Sequence, residues 1–126
     1  MGVDTRYLYS ASTDKIISLA INVHKKLGPG FIERIYEKAL EHEFEKNEIN
    51  FKKQKQIKVK YDAVLLGNQK LDFLINDEIV VELKAVSEIN EIHLAQMISY
   101  LKAASMKVGL ILNFAKNKLD IKRVVL

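Results

Sequence analysis

The chain of 126 residues contains no cysteine and only one proline. The absence of cysteine excludes disulfides, thiolate nucleophiles and Cys-ligated zinc. One proline and five glycines leave little of the composition that keeps a chain disordered. The longest apolar stretches are too short to span a bilayer, and the first nine residues lack the continuous apolar core of a signal peptide. These absences predict a folded protein without membrane contact, which we expect in the cytoplasm.

The composition is that of a soluble globular domain, with 48% hydrophobic and 29% charged residues. A chain of this length supports one domain with a real core, so we expect a single domain over residues 1–126, with residues 1–11 as a loose lead-in. The net charge of +4 permits a polyanionic partner, although surplus surface lysines would explain it equally well. If that partner is a nucleic-acid duplex, so small a domain has little surface with which to enclose it, which makes a homodimer plausible.

Apolar spacing predicts three helices and five strands. The helices are expected at about Thr13–Leu27, Phe31–Asn47 and Asn90–Ala104, and the strands at Phe51–Tyr61, Lys70–Ile75, Ile79–Lys84, Val108–Asn113 and Leu119–Val125. Ser12 or Thr13 is the expected N-cap of the first helix, and Gly28-Pro29-Gly30 ends it.

Two acids and a lysine lie within an otherwise apolar pair of strands. A three-residue turn at Asn76 to Glu78 would pair Asp72 with Glu82, next to Leu74 opposite Val80. The other face would then carry three wholly apolar pairs, among them Leu71 opposite Leu83. A two-residue turn would separate the acids onto opposite faces. The first register satisfies the core, so we expect it.

Opposed carboxylates repel each other, so a cation or a proton is needed between Asp72 and Glu82. Oxygen ligands favour Mg²⁺ or Mn²⁺ over zinc. The strand period puts Lys84 on the same side as Glu82, where an ammonium group can orient a water and balance phosphate charge. The alternative is a surface acid–lysine ladder, which would not explain charges inside an apolar hairpin. The pattern therefore indicates a site for metal-assisted phosphodiester cleavage.

Four motifs, in order along the chain, resemble the PD-(D/E)XK nuclease superfamily and its small GxxExxY group. They are Gly30-Phe-Ile-Glu33-Arg-Ile-Tyr36, Asp72, Glu82-Leu-Lys84 and Gln96-Met-Ile-Ser-Tyr100. The two closing strands also look like this group. Each motif is weak alone, but four in the correct order form a strong signal. The likeness as a whole covers the chain from about Thr13 to Val125.

The resemblance implies an α/β fold with a restriction-endonuclease-like α-β-β-β-α-β core, a mixed central sheet flanked by helices. It also implies that Asp72, Glu82 and the carbonyl of Leu83 hold Mg²⁺ or Mn²⁺. Lys84 would act on the water and on the charge that develops at phosphorus. Glu33 would face the site from the first core helix as an outer or second-metal ligand.

Gln96 and Tyr100 share one helix face because they lie four residues apart. Gln96 could contact the water or the phosphate, and Tyr100 could fix its orientation or stack on a base. The alternative is a buried tyrosine with a polar neighbour. His93 lies one turn earlier and is interpreted as structural. The lysines of the first strand could follow a phosphate backbone, or they could protect a strand edge from pairing.

The sequence thus predicts a metal-dependent nuclease acting on nucleic acid, with DNA as the first expectation. One alternative is a non-catalytic nucleic-acid-binding module that keeps the nuclease fold. The other is an interaction subunit whose site is vestigial. Metal-dependent cleavage would identify the enzyme, whereas salt-sensitive binding without cleavage would identify the binder.

Overall fold

The computed structural model describes residues 9–126, within which it has three helices and five strands. The helices are α1 (Ser10–Leu27), α2 (Glu33–Lys46) and α3 (Glu91–Ala104), and the strands are β1 (Phe51–Tyr61), β2 (Val64–Ile75), β3 (Ile79–Lys84), β4 (Val108–Asn113) and β5 (Asp120–Val125). None of these helices combines the length and the apolar character needed to cross a membrane.

Two predicted boundaries were wrong. Helix α1 begins at Ser10 and follows Tyr9, so neither Ser12 nor Thr13 is its N-cap. Most of the expected lead-in lies outside the described residues. Strand β2 begins at Val64 rather than at Lys70, because it pairs with β1 along almost its whole length. Gly67 and Asn68 are poor strand formers, so the pattern of β2 alone did not reveal this extension.

The five strands form one sheet in the order β1-β2-β3-β4-β5. Strands β3 and β4 are parallel and are joined through α3, whereas the other neighbouring pairs are antiparallel. A parallel pair needs such a helical crossover. The elements α2-β1-β2-β3-α3-β4 match the predicted core order, to which α1 and β5 are added. The expected α/β fold with a mixed sheet flanked by helices is confirmed.

Each face of the sheet is covered by different helices. We call the side covered by α1 and α2 the two-helix face, and the side covered by α3 the one-helix face. Buried residues of α1 and α2, such as Leu40 and Phe44, pack with Phe73 and Val81 on the two-helix face. The one-helix face has a smaller cluster around Met97 and Leu101 of α3.

The β2–β3 hairpin has the predicted three-residue turn and pairs Phe73 with Val81 and Ile75 with Ile79. The prediction fails beyond Phe73, because the backbone pairing with β3 ends there. Leu71 then packs on the one-helix face, whereas its expected partner Leu83 packs on the two-helix face. Residues two apart in a regular strand share a face, so Leu71 and Phe73 show that β2 changes its orientation between them.

The change of orientation coincides with an irregularity in β1. Lys53 pairs with Phe73 and Lys55 pairs with Leu71, but the residues between them are not paired. The residue between the two lysines, Gln54, has a left-handed backbone with φ 52°. An interruption of this kind re-aims a side chain within a sheet. The residue of β2 that it affects is Asp72.

Candidate active site

Asp72 and Glu82 meet where the regular pairing of β2 with β3 stops. The backbone N–H of Asp72 donates a hydrogen bond to Glu82 Oε1 at 3.1 Å. The backbone N–H of Leu83 donates to Asp72 Oδ2 at 2.9 Å. Each carboxyl group therefore accepts a hydrogen bond from a backbone N–H of the opposite strand. The two acids are held side by side through these side-chain bonds instead of through the predicted ladder pair.

The surroundings of the two acids favour their protonated forms. Glu82 is only 7% exposed, and burial, followed by the charge of Asp72, raises its pKa to about 8. Burial also raises the pKa of Asp72, although the hydrogen bonds from Leu83 and Glu82 oppose that change. A nearby cation would favour the ionised forms instead, as opposite charges do.

Lys84 extends the same side of β3 toward helix α3. Its Nζ donates a hydrogen bond to Gln96 Oε1 at 2.7 Å. Strand alternation puts Lys84 on the side of Glu82, and the ammonium group lowers the pKa of both Asp72 and Glu82. The structure therefore brings the lysine, the two acids and Gln96 together on the one-helix face.

Asn113 is a buried polar residue that the sequence analysis missed. Its side-chain amide donates to the carbonyl of Val86 at 2.8 Å and accepts the N–H of Val86 at 3.1 Å. It is paired with Lys84 across the parallel strands, and the N–H of Phe114 donates to the carbonyl of Lys84 at 3.0 Å. Asn113 thus fixes the chain that leaves Lys84. Its signal in the sequence was an asparagine at the end of a wholly apolar strand.

The Gly30–Tyr36 motif holds the turn that precedes α2. Gly30 has φ 110°, which favours glycine. The hydroxyl of Tyr36 donates to the carbonyl of Gly28 at 2.6 Å and accepts the N–H of Phe31 at 3.2 Å. The Tyr36 ring stacks on Phe114 with the centroids 4.5 Å apart. The start of α2 is therefore tied to the residue that also binds the Lys84 backbone.

Glu33 begins α2 and lies within the electrostatic field of the site. Burial, and then the charge of Asp72, raises its pKa, while Lys84 lowers it. Glu37, one turn further on the same helix, also raises the pKa of Asp72 and of Glu33. The sequence left Glu37 without a role at the site, since Glu33 and Glu37 could also be acids favoured by the helix dipole, although their spacing puts both on one helix face. Gln54 donates to Glu37 Oε1 at 3.0 Å.

Tyr100 and His93 of α3 have different surroundings. Tyr100 is 9% exposed and packs in the apolar cluster of the one-helix face. Burial, followed by the charges of Glu82 and Asp72, raises its pKa, so its hydroxyl lies near the acids. His93 instead accepts the N–H of Asn90 on Nδ1 at 3.0 Å and completes a capping box, as its structural interpretation predicts.

The donor set has the chemistry of a Mg²⁺ or Mn²⁺ site but not a complete set of protein ligands. Within residues 9–126, no three His, Cys, Asp or Glu side chains converge closely enough to hold an ion by themselves. The structure places Asp72 and Glu82 in contact through the side chain of Glu82, and Glu33 is not part of that contact. Mg²⁺ usually keeps several waters and is bound through one or two carboxylates plus substrate phosphates. A two-carboxylate site fits that pattern.

The chain resembles known proteins in its sequence profile and in its fold. A sequence profile of the PD-(D/E)XK nuclease superfamily matches residues 10–124. The crystal structure of SSO0001 has the same fold, with a TM-score of 0.58 at 18% sequence identity. The similarity covers 95% of this chain, which spans 60% of the length of SSO0001. No functionally curated protein matches the sequence significantly.

Proposed function

The chain belongs to the PD-(D/E)XK nuclease superfamily, and we propose that it is a Mg²⁺- or Mn²⁺-dependent nuclease that hydrolyses phosphodiester bonds, with DNA as the first expected substrate. We further propose that it falls in the GxxExxY group. The observation that carries the proposal is the contact between the carboxyl groups of Asp72 and Glu82, with Lys84 on the same side.

Asp72, Glu82 and the carbonyl of Leu83 are the proposed ligands of the cation. When bound, the cation would neutralise charge on the phosphoryl oxygens and make water a stronger nucleophile. Ionised Glu82 would then be favoured, because the cation replaces the proton that burial otherwise retains. Glu33 would act from the first turn of α2 as an outer carboxylate, and its raised pKa supports this nearness.

Lys84 is the proposed catalytic cation of the protein itself. Hydrolysis joins a water oxygen to phosphorus, while the ester oxygen leaves with the bonding electrons and takes up a proton. The ammonium group of Lys84 can hold the water and counter the negative charge that grows on the phosphoryl oxygens. Gln96 accepts one of its three N–H groups, which leaves two for the substrate. Tyr100 lines a hollow together with Gln96 and can orient the substrate or a base.

The deciding experiment is a cleavage assay with labelled single-stranded, double-stranded and branched DNA and with RNA. Each substrate is incubated with the chain in Mg²⁺, Mn²⁺, Ca²⁺ or EDTA. Asp72→Asn and Glu82→Gln remove the carboxylate charge at nearly constant size. The control is Asp77→Asn, which changes an exposed acid in the β2–β3 turn. We expect the wild type and the control to cleave in Mg²⁺ or Mn²⁺, and the two site variants not to cleave.

Three results would contradict the nuclease proposal. Cleavage that persists in Asp72→Asn would point to a contaminating enzyme or to another site. Salt-sensitive binding of nucleic acid by the wild type, without cleavage of any substrate in any metal, would support the non-catalytic binding module. If there is neither binding nor cleavage, the chain is better described as an interaction subunit.

A further inference from the structure

The one-helix face carries an open groove between β1 and α3. Ile57 and Val59 of β1 and Ala103 of α3 form an apolar floor. Lys102 of α3 also lines the groove. So do Lys58 and Lys60, which alternate with Ile57 and Val59 along the edge strand β1 and therefore border the groove at the open edge of the sheet. The groove has a volume of about 840 Å³.

The described residues that line the groove carry an excess of positive charge. Among the described residues that line it there is no aspartate or glutamate, and within residues 9–126 none of its three lysines forms an ion pair. The other end of β1 is different. There Lys52 pairs with Asp77 at 2.7 Å, and Lys53 lies 3.5 Å from Glu37. Protection of a strand edge would explain lysines at both ends of β1, but it does not explain why no acid is among the described residues that line the groove.

The groove leads to the candidate active site. A second, smaller hollow is lined by Gln96 and Tyr100 and shares Val59, Ser99 and Ala103 with the groove. The two hollows therefore adjoin along one side of α3. A chain lying in the groove would reach the side of α3 where Gln96 holds Lys84.

We propose that this groove binds one unpaired strand of nucleic acid next to the phosphate that is cut. Lysines at the rim neutralise phosphates, and the aliphatic side chains of the floor offer van der Waals contact to the faces of unpaired bases. A duplex buries its base faces by stacking, so it cannot use the floor. The groove spans β1 from Gln56 to Lys60, about 13 Å at roughly 3.3 Å per residue, which suits only a few nucleotides. This inference rests on the proposed function only in that the bound strand continues to Lys84.

Fluorescence anisotropy in EDTA tests the groove without any cleavage. The probes are a labelled mixed-sequence DNA strand and the same strand in a duplex. The groove variant is Lys58→Gln/Lys60→Gln/Lys102→Gln. The matched control is Lys15→Gln/Lys25→Gln/Lys26→Gln, which removes the same charge from exposed lysines of α1 on the other face.

For the single strand, we expect the groove variant to bind at least about tenfold more weakly than the wild type. The slope of log K against log salt should fall by about 2, since each lost phosphate contact removes about 0.7 for a single strand. The α1 control should change affinity less than about threefold. The wild type should bind the single strand more tightly than the duplex.

A second pair of variants tests the floor rather than the rim. Ala103→Glu introduces a negative charge at an exposed helical position of the groove, and Ala11→Glu introduces the same charge on α1. Only Ala103→Glu should weaken single-strand binding. Circular dichroism melts that match the wild type would show that all variants fold.

Equal losses in the groove and control variants would overturn the groove, because they would indicate attraction by net charge alone. Equal affinity for the single strand and the duplex would also overturn it. The nuclease proposal fails separately: a protein that binds through the groove but cleaves nothing keeps the groove and loses the nuclease. If the groove variant binds and cleaves as the wild type does, the nuclease proposal stands and the groove proposal fails.

Discussion

The two faces of the sheet are built for different purposes. Within residues 9–126, sixteen buried apolar residues, nearly all from α1, α2 and the sheet, form the cluster on the two-helix face. The cluster on the one-helix face has eight such residues. It borders Glu82, whose pKa is raised by burial. Tyr100 belongs to that smaller cluster and also lies within the field of the acids.

This difference shows how a small domain can combine stability with a strained site. Burial of apolar area is the main favourable term in folding, and most of it lies on the two-helix face. The one-helix face holds adjacent carboxyl groups that destabilise the fold when both are ionised. If the comparison is correct, variants of the two faces should separate stability from activity.

The largest expected effect is on stability. Phe44 is fully buried on the two-helix face and forms an edge contact with Phe73 at 5.1 Å. Phe44→Ala should lower the free energy of unfolding by about 3–5 kcal/mol, because it removes apolar contacts and leaves a cavity. Urea denaturation measures this loss. The control is Phe31→Ala, whose ring is 48% exposed and should cost far less. Equal losses of stability in the two variants would contradict the conclusion that the buried residues of the two-helix face carry most of the stability.

The next effect is on catalysis and should leave stability nearly unchanged. Lys84→Ala should reduce the single-turnover cleavage rate by roughly 10²-fold or more, because a group aimed at developing charge is lost. Binding in Ca²⁺ should fall far less, since other lysines contact the phosphates. Lys84→Arg should rescue poorly, because a planar fork replaces a compact ammonium group.

A surface lysine provides the control for Lys84. Lys116→Ala removes an ammonium group that pairs with Glu88 at 3.1 Å on the surface and should leave the rate unchanged. Undiminished cleavage by Lys84→Ala would remove its catalytic role. Equal losses of binding and rate would make it a phosphate anchor.

The third effect is a pH dependence of stability that belongs to the one-helix face. In EDTA the folded protein keeps a proton on Glu82 up to about pH 8, whereas the unfolded chain loses it near 4.5. The folded state thus binds more protons in this window, and the free energy of unfolding should fall as the pH rises from 4.5 to 8. The slope should approach about 1.4 kcal/mol per pH unit.

Glu82→Gln should flatten most of that slope, because glutamine cannot ionise. A weaker slope should remain at lower pH, since burial also raises the pKa of Asp72. Glu45→Gln changes an exposed glutamate of α2 and serves as the control. Urea denaturation at a series of pH values measures the slopes. A wild type whose stability rises between pH 5 and 8 would contradict the buried, protonated Glu82.

The smallest effect should change both quantities, because it alters a contact on the two-helix face that also positions a residue of the candidate site. Tyr36→Phe keeps the ring stacked on Phe114 but removes the hydroxyl that binds Gly28 and Phe31. The cost should be about 1 kcal/mol of stability. Because the turn positions Glu33, a moderate loss of cleavage rate should accompany it. A loss of stability with no change in rate would show that Glu33 is dispensable.

Much of the fold could be predicted because local patterns decide it. The apolar strands β3 and β4 have the predicted bounds, and α3 begins one residue after its predicted start, with Asn90 as its cap. The turn between β2 and β3 also follows from apolar pairing. The long β1–β2 hairpin was missed at Val64 to Gln69, because its stability comes from pairing rather than from its own residues.

The candidate site was only partly visible for the same reason. Spacing within one strand or one helix predicts that Glu82 and Lys84 share a side, and that Gln96 and Tyr100 share another. Spacing also puts Glu37 on the face of Glu33. It cannot predict that Glu37 lies near Asp72 or that Asn113 binds Val86, because these contacts join distant parts of the chain.

The sequence by itself determined the order of the elements, the residue types available at the site and the β2–β3 turn. These features follow from short-range periodicity and from the conformational limits of each residue. Tertiary structure alone decided how Asp72 meets Glu82. That contact requires β1 to break its pairing at Gln54, β2 to change its orientation, and two carboxyl groups to take amides of the opposite strand. Each of these events depends on a partner strand, which no local pattern describes.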